Sequence, residues 1–327
     1  MNGHFFMSKL YDIMTFKKEY KNMKLQLTLN SLALILCCGD LIPSSTQPIS
    51  TQEWQEIEKK LKSAHKEPSM ITGMSIDTLT QIIGLDEFTA HKIEKRQKLL
   101  PDLFYALQNL ENQDIGVTTI YEEDYPASLR VLGTKMPLVI SYIGDLSLSY
   151  GVNISVAGPQ MMNKTMRHVT KEIMKKISKE GYTVVVGGSK GVEELALRTQ
   201  LTNNGNAVLF VADHMFDKIR LYSKYIKQNK LVIMTANDPY ALFDVTHALD
   251  KNLYICGMVF VQIVTGTHIG SGPVWFTSIQ NIHSHWTRQL VYETLDYSGN
   301  IRLIEMGEAH FTDEDLKSEV TLAEILD

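Results

Sequence analysis

The chain has 327 residues, 44% hydrophobic and 21% charged, with a formal net charge of −5. Length and composition suit about two ordinary globular domains and exclude a fibrous or low-complexity protein. The negative balance excludes a globally basic nucleic-acid binder, so phosphate contacts need a local patch; three cysteines, two of them adjacent at Cys37 and Cys38, give neither a disulfide framework nor a metal pattern and fit a reducing cytoplasm.

Residues 1–24 carry Met, Lys and Phe without periodicity and are expected to be a poorly ordered extension, with Met23 the natural start. Met23 and Lys24 before an apolar run imitate a secretory leader. The run is broken by Gln26, Thr28, Asn30 and Ser31, and large Leu36 precedes Cys37 where a cleavage site takes a small residue. It is also shorter than the roughly 20 residues that span a bilayer. A buried first helix over 25–38 is the expectation, with no membrane association.

Residues 25–113 read as a small all-α domain of the sterile-alpha-motif or helix-hairpin-helix kind. After a Ser/Thr/Pro linker at 43–48, Ser50 or Thr51 can cap a helix over 52–65 with Trp54, Ile57 and Leu61 on one face. Shorter helices follow at 77–83, 86–98 and 101–113. Residues 79–93 resemble a helix-hairpin-helix with Gly84 in the turn and Ala90 at the crossing. Such a hairpin can hold DNA phosphate on its helix amides. Asp86 and Glu87 put negative charge there, which favours a pair that merely packs.

A connecting segment at 114–152 holds strand-like runs at 115–120 and 138–143. From residue 153 strands and helices alternate. Strands are expected at 154–157, 183–186, 207–211, 231–235, 259–264 and 289–293, and helices at 164–179, 191–202, 217–228, 240–253 and 273–282. Continuous apolar strands separated by helices predict an α/β, doubly wound, mostly parallel sheet of the extended Rossmann-like class over 153–308. An acidic tail is expected over 309–327. Right-handed crossovers gather the loops after the strands at one carboxyl edge.

The most informative of these loops follows Val186. Gly187, Gly188, Ser189, Lys190 and Gly191 join a β-branched strand to a helix, a geometry whose amides and dipole accept an anion. A strand–turn–helix joint without ligand has the same pattern. Ser271 and Gly272 form a second such opening, and Gly158 a third turn.

These loops, in this order, resemble the DNA-processing protein A family (DprA, also called Smf), over about residues 25–307. Tyr125-Pro126, Leu129, Leu132, Pro137 and Ile143-Gly144 resemble its lead-in. Val156-Ala157-Gly158 resembles its first strand and turn, and Gly187 to Glu193 its hallmark, normally Gly-Gly-Ala-Arg-Gly-Ile-Asp. Lys251-Asn252 with Gly257 resembles its Arg-Asn-Arg segment, Ser271-Gly272 with Thr277 its Arg-Ser-Gly segment, and Gly299-Asn300, Leu303-Ile304 and Gly307 its closing motif.

The resemblance implies a cytoplasmic, often dimeric protein. Such a protein binds single-stranded DNA and loads the strand-exchange recombinase during natural transformation, without catalysis or cofactor. It implies DNA or phosphate contacts at Gly158, Lys164, Arg167, Gly187, Gly188, Ser189, Lys190, Gly191, Lys251, Asn252, Ser271 and Gly272. Lys164 and Arg167 enter as replacements for a family arginine that is Gln160 here. Other family arginines are Lys190, Lys251, Leu253 and Gly270, so the positive charge is thinned. Lysine is a point charge without arginine's bidentate fork. Where the family often continues into a winged helix, the expectation here is only the acidic tail.

Two alternatives stay open: a mononucleotide sensor on the same fold, and a degenerate paralogue acting through protein contacts. Tyr240 and Phe243 are candidate stacking platforms. His268, His283 and His285 lack zinc spacing, Glu193 and Glu194 are the carboxylates a helix opening favours, and Ser189 lies outside a nucleophile-elbow pattern.

Overall fold

The computed structural model describes residues 25–317 and 319–326. The expected extension over 1–24 lies outside the described residues, as does Asp327. The described residues fall into two compact units, one reaching to Tyr125 and including Leu138–Ser141, the other of Pro126–Pro137 with the residues from Tyr142 onward. The connecting segment expected at 114–152 is therefore shared between them.

In the first unit α1 (Leu29–Cys38) is capped by Thr28 and buries nearly its whole circumference, which explains why its sequence mimics a leader. The α2 helix (Thr51–Ser63) starts at Ser50 with a complete capping box through Glu53 and buries Trp54, Ile57 and Leu61. A π-helical turn at Thr78–Ile82 replaces the short helix expected at 77–83. Gly84 (φ +75°) then turns the chain into α3 (Glu87–Gln97). Asp86 caps α3, accepting from the Thr89 amide at 2.9 Å and the Thr89 hydroxyl at 2.7 Å. A carboxylate thus fills the helix opening that a DNA-gripping hairpin leaves for phosphate. The helix α4 (Leu100–Glu111) and strand β1 (Gly116–Thr119) complete this unit. Strand β2 (Val139–Ile143) spans the division.

The second unit alternates β3 (Asn153–Ala157), α5 (Lys164–Lys179), β4 (Thr183–Val186), α6 (Val192–Thr202), β5 (Ala207–Phe210), α7 (Met215–Lys227), β6 (Leu231–Thr235), α8 (Val245–Gly257), β7 (Val261–Val264), α9 (Gly272–Ser284), β8 (Arg288–Tyr292), α10 (Ser298–Glu305), β9 (Ala309–Phe311) and α11 (Leu322–Leu326). Its strands run parallel in the order β6-β5-β4-β3-β7-β8-β9. From β3 the chain winds outward to β6, then crosses back to β7 on the other side of β3. The order reverses between β3 and β7, which is where doubly wound sheets bind ligands. Ile154, Val156, Val184, Val186, Val261 and Ile263 face one layer, packed with residues of α5, α6, α7 and α11. Val264 and Val291 face the other, packed with Trp275 of α9 and Leu303 of α10.

Two expectations are corrected. The helix expected over 240–253 begins only at Val245, because Asp244 caps it by accepting from the Thr246 and His247 amides. The expected tail over 309–327 is part of the fold. Residues 309–311 form the edge strand, and Phe311 (1% exposed) and Leu322 (0%) enter the core. Buried Lys176 of α5 donates to the Lys317 carbonyl at 2.6 Å, and Glu180 accepts from the Ala323 amide at 3.2 Å. The acidic residues lie between apolar anchors at Phe311, Leu316, Leu322 and Leu326, which decide the segment's fate.

Candidate functional site

A cavity of about 380 Å³ opens at the switch point, roofed by α8 and α9. Its floor is the sheet face bearing Ser155 of β3, Val185 of β4 and Gln262 of β7. These three stand in one row across the sheet, Val185 paired with Ser155 and Ser155 with Gln262. Two adjacent polar residues inside buried parallel strands break the apolar rule for such strands. The Ser155 hydroxyl is buried without a hydrogen-bond partner. Such a group costs about 1–3 kcal/mol, so its presence at a cavity floor calls for a reason beyond packing.

Of the twelve residues expected to contact phosphate, Gly158, Ser189, Lys251, Asn252 and Gly272 line this cavity. Gly187, Gly188, Lys190 and Gly191 complete the loop over it. Gly187 is needed for a close approach, because a Cβ there would lie 2.1 Å from the Lys251 Nζ. Gly191 has φ +91°, and its Cβ would lie 2.4 Å from the Pro159 carbonyl oxygen. Lys190 is exposed beside the cavity, and Ser271 precedes α9 without capping it. Lys164 and Arg167 are exposed on the first turn of α5, in the layer opposite α8 and α9, and do not line the cavity.

Lys251 is not the exposed cation the sequence suggests. It lies within α8, 6% exposed, with Nζ 3.3 Å from the Ser189 hydroxyl and 3.8 Å from a Glu193 carboxylate oxygen. Glu193 in turn accepts from the Ser189 amide at 2.9 Å. The loop amide read as open to phosphate is therefore met by a side chain of the same chain. Glu194 turns away and pairs with Arg198 at 2.7 Å.

Sequence reasoning passed over Lys218 of α7, whose Nζ lies 3.5 Å from the Gly188 carbonyl. It also passed over Ser155 and Gln262, although a polar residue in an otherwise apolar strand was the available signal. Exposed Phe243 lines the cavity, whereas Tyr240 packs on Phe216 at a ring distance of 4.6 Å. His268 packs against Tyr297 at 5.0 Å. Among the described residues, no group of three His, Cys, Asp or Glu side chains could hold a metal ion, and no helix is long and apolar enough to cross a membrane.

The family model for DNA recombination-mediator protein A matches residues 116–315. The chain belongs to this family. The fold agrees with the X-ray structure of DNA processing protein A from Streptococcus pneumoniae, with a TM-score of 0.69 at 17% identity, covering 91% of this chain and 99% of that one. It agrees over a shorter span with DNA processing protein A from Helicobacter pylori, with a TM-score of 0.52 at 17% identity, covering 61% of this chain and 92% of that one. No curated protein matches the chain in sequence. Membership of the recombination-mediator family assigns a DNA-processing role, and the family match takes in the whole cavity described above.

Proposed function

We propose that the chain binds single-stranded DNA at the carboxyl edge of its parallel sheet and serves recombination during DNA uptake by handing the strand to a recombinase. The carrying observation is the switch-point cavity, which opens beside exposed Lys190 and between the starts of α6 and α9, neither of which has a side-chain cap. Helix starts of this kind attract anions. The H. pylori relative is described as having a unique single-stranded DNA binding mode, which supports the same reading. The protein acts in the cytoplasm as a binding protein, as a homodimer and without catalysis or cofactor. Lys190 and Lys218 supply charge at the loop, Lys164 and Arg167 extend it along the strand, and Phe243 offers a face for stacking.

The test is titration of labelled oligo-dT over a salt series. Affinity falling steeply between about 50 and 200 mM salt supports strand binding, and absence of binding at the lowest salt refutes it. A mononucleotide ligand is the second reading, favoured by a bounded cavity of about 380 Å³. A rise in melting temperature with nucleoside monophosphates, without strand binding, selects it.

A further inference from the structure

We propose that Glu193 is a built-in counter-anion that occupies the place of a strand phosphate and sets how tightly the site grips nucleic acid. The inference rests on the strand-binding reading. Two donors converge on the Glu193 carboxylate: the Ser189 amide at 2.9 Å and the Lys251 ammonium at 3.8 Å, which itself donates to the Ser189 hydroxyl at 3.3 Å. An amide and an ammonium at a helix start are the kind of donors that hold a phosphate oxygen. Here they turn toward an oxygen tethered to the protein.

The pair is built rather than incidental. The side chains of Lys251 and Glu193 are only 8% and 14% exposed, yet both residues line the cavity. Gly187 leaves the space that the Lys251 side chain occupies. Neighbouring Glu194 shares the same helix opening and makes its ion pair outward, with Arg198, so the inward turn of Glu193 is not a general habit of carboxylates there. Lys251 is therefore silent toward a strand until the pair parts. A phosphate reaching these donors displaces a carboxylate of like charge, and the exposed Lys190, with Lys218, carries the loop's attraction meanwhile.

The experiment uses the full chain, labelled oligo-dT and fluorescence anisotropy over a salt series, with melting temperatures of every variant. Glu193→Gln keeps the size and an oxygen for the Ser189 amide while removing the charge. Expected is binding about tenfold tighter at low salt, with the slope of log affinity against log salt steeper by about 0.7, the increment for one freed cation on a single strand. The double variant Glu193→Gln with Lys251→Gln returns the slope to the parent's. Lys251→Gln alone leaves the Glu193 charge unpaired at the site and is expected to weaken binding, and this arm stands if Glu193→Gln fails to fold. Unchanged or weaker binding by folded Glu193→Gln overturns the proposal, as does parent-like or tighter binding by folded Lys251→Gln. Parent binding with no gain defeats this inference alone. No binding by parent or variants at the lowest salt defeats the strand-binding reading and this inference with it.

Discussion

Lys190 is the residue at which binding and stability are expected to part company. It is exposed in the turn between Gly188 (φ +69°) and Gly191 (φ +91°), just ahead of α6. A phosphate about 5 Å from its ammonium in water gains roughly 1 kcal/mol. Lys190→Glu turns that attraction into a repulsion of similar size, a swing of about 2 kcal/mol, or roughly 30-fold in affinity. Lys190→Gln removes only the attraction and should weaken binding about fivefold. Stability moves differently. A substitution at an exposed position usually stays within about 0.5 kcal/mol, and a carboxylate ahead of α6 gains a few tenths from the helix dipole. The melting temperature of Lys190→Glu is therefore expected to equal or slightly exceed the parent's while oligo-dT affinity at low salt falls about 30-fold. Anisotropy titration and thermal denaturation of the same preparations measure both. Parent-like binding removes Lys190 from the site, and a collapse in melting temperature shows that the loop depends on its ammonium.

In the first unit, the Arg96 guanidinium is 1% exposed and donates to the carbonyls of Leu36 (2.6 Å), Gly39 (2.6 Å) and Thr46 (3.0 Å). Arg96→Met should cost about 3–5 kcal/mol by orphaning buried carbonyls, and an unchanged denaturant midpoint contradicts this. Asp86 is held below its ordinary value of 3.8 by hydrogen bonds from the Thr89 side chain and backbone. Its contribution is complete above 3.8 and is lost as pH falls through the depressed value. Asp86→Ala should cost about 1 kcal/mol at neutral pH, and the gap to the parent should close in acid. A gap that persists at pH 2 shows that the cap does not depend on ionisation.

The alternation of apolar strands with amphipathic helices made the parallel sheet readable, because buried strands admit little besides Val, Ile and Leu. Thr183–Val186 and Leu231–Thr235 fall where the pattern places them. Helix starts were less legible. Tyr240 to Phe243 have helical spacing, but the Asp244 cap starts α8 after them, and cap choice is a local hydrogen-bond contest. Glycines at 187 and 191 were legible as turns. The partners of Lys251 were not, since pairing depends on Gly187 and Glu193, far off in sequence and near only in the fold. A count of cations along the chain therefore overstated the charge offered to a strand.

Ser155 tests whether the cavity floor is kept polar for a ligand. The residue is 2% exposed, and its hydroxyl is buried without a hydrogen-bond partner. Val185 beside it shows that the row tolerates a β-branched residue. Ser155→Val removes the orphaned hydroxyl, adds β-propensity and puts one extra carbon toward about 380 Å³ of open space. The gain should be about 1 kcal/mol, a rise of roughly 2–4 °C for a domain of this size. If the hydroxyl serves a bound strand or nucleotide, affinity falls in the same variant, the usual opposition between a stable core and a working site. A lower melting temperature means that the hydroxyl has a partner. A higher one with unchanged oligo-dT and nucleotide binding means that the polar floor does not serve the ligand, and the site then consists of the loop and helix openings above it.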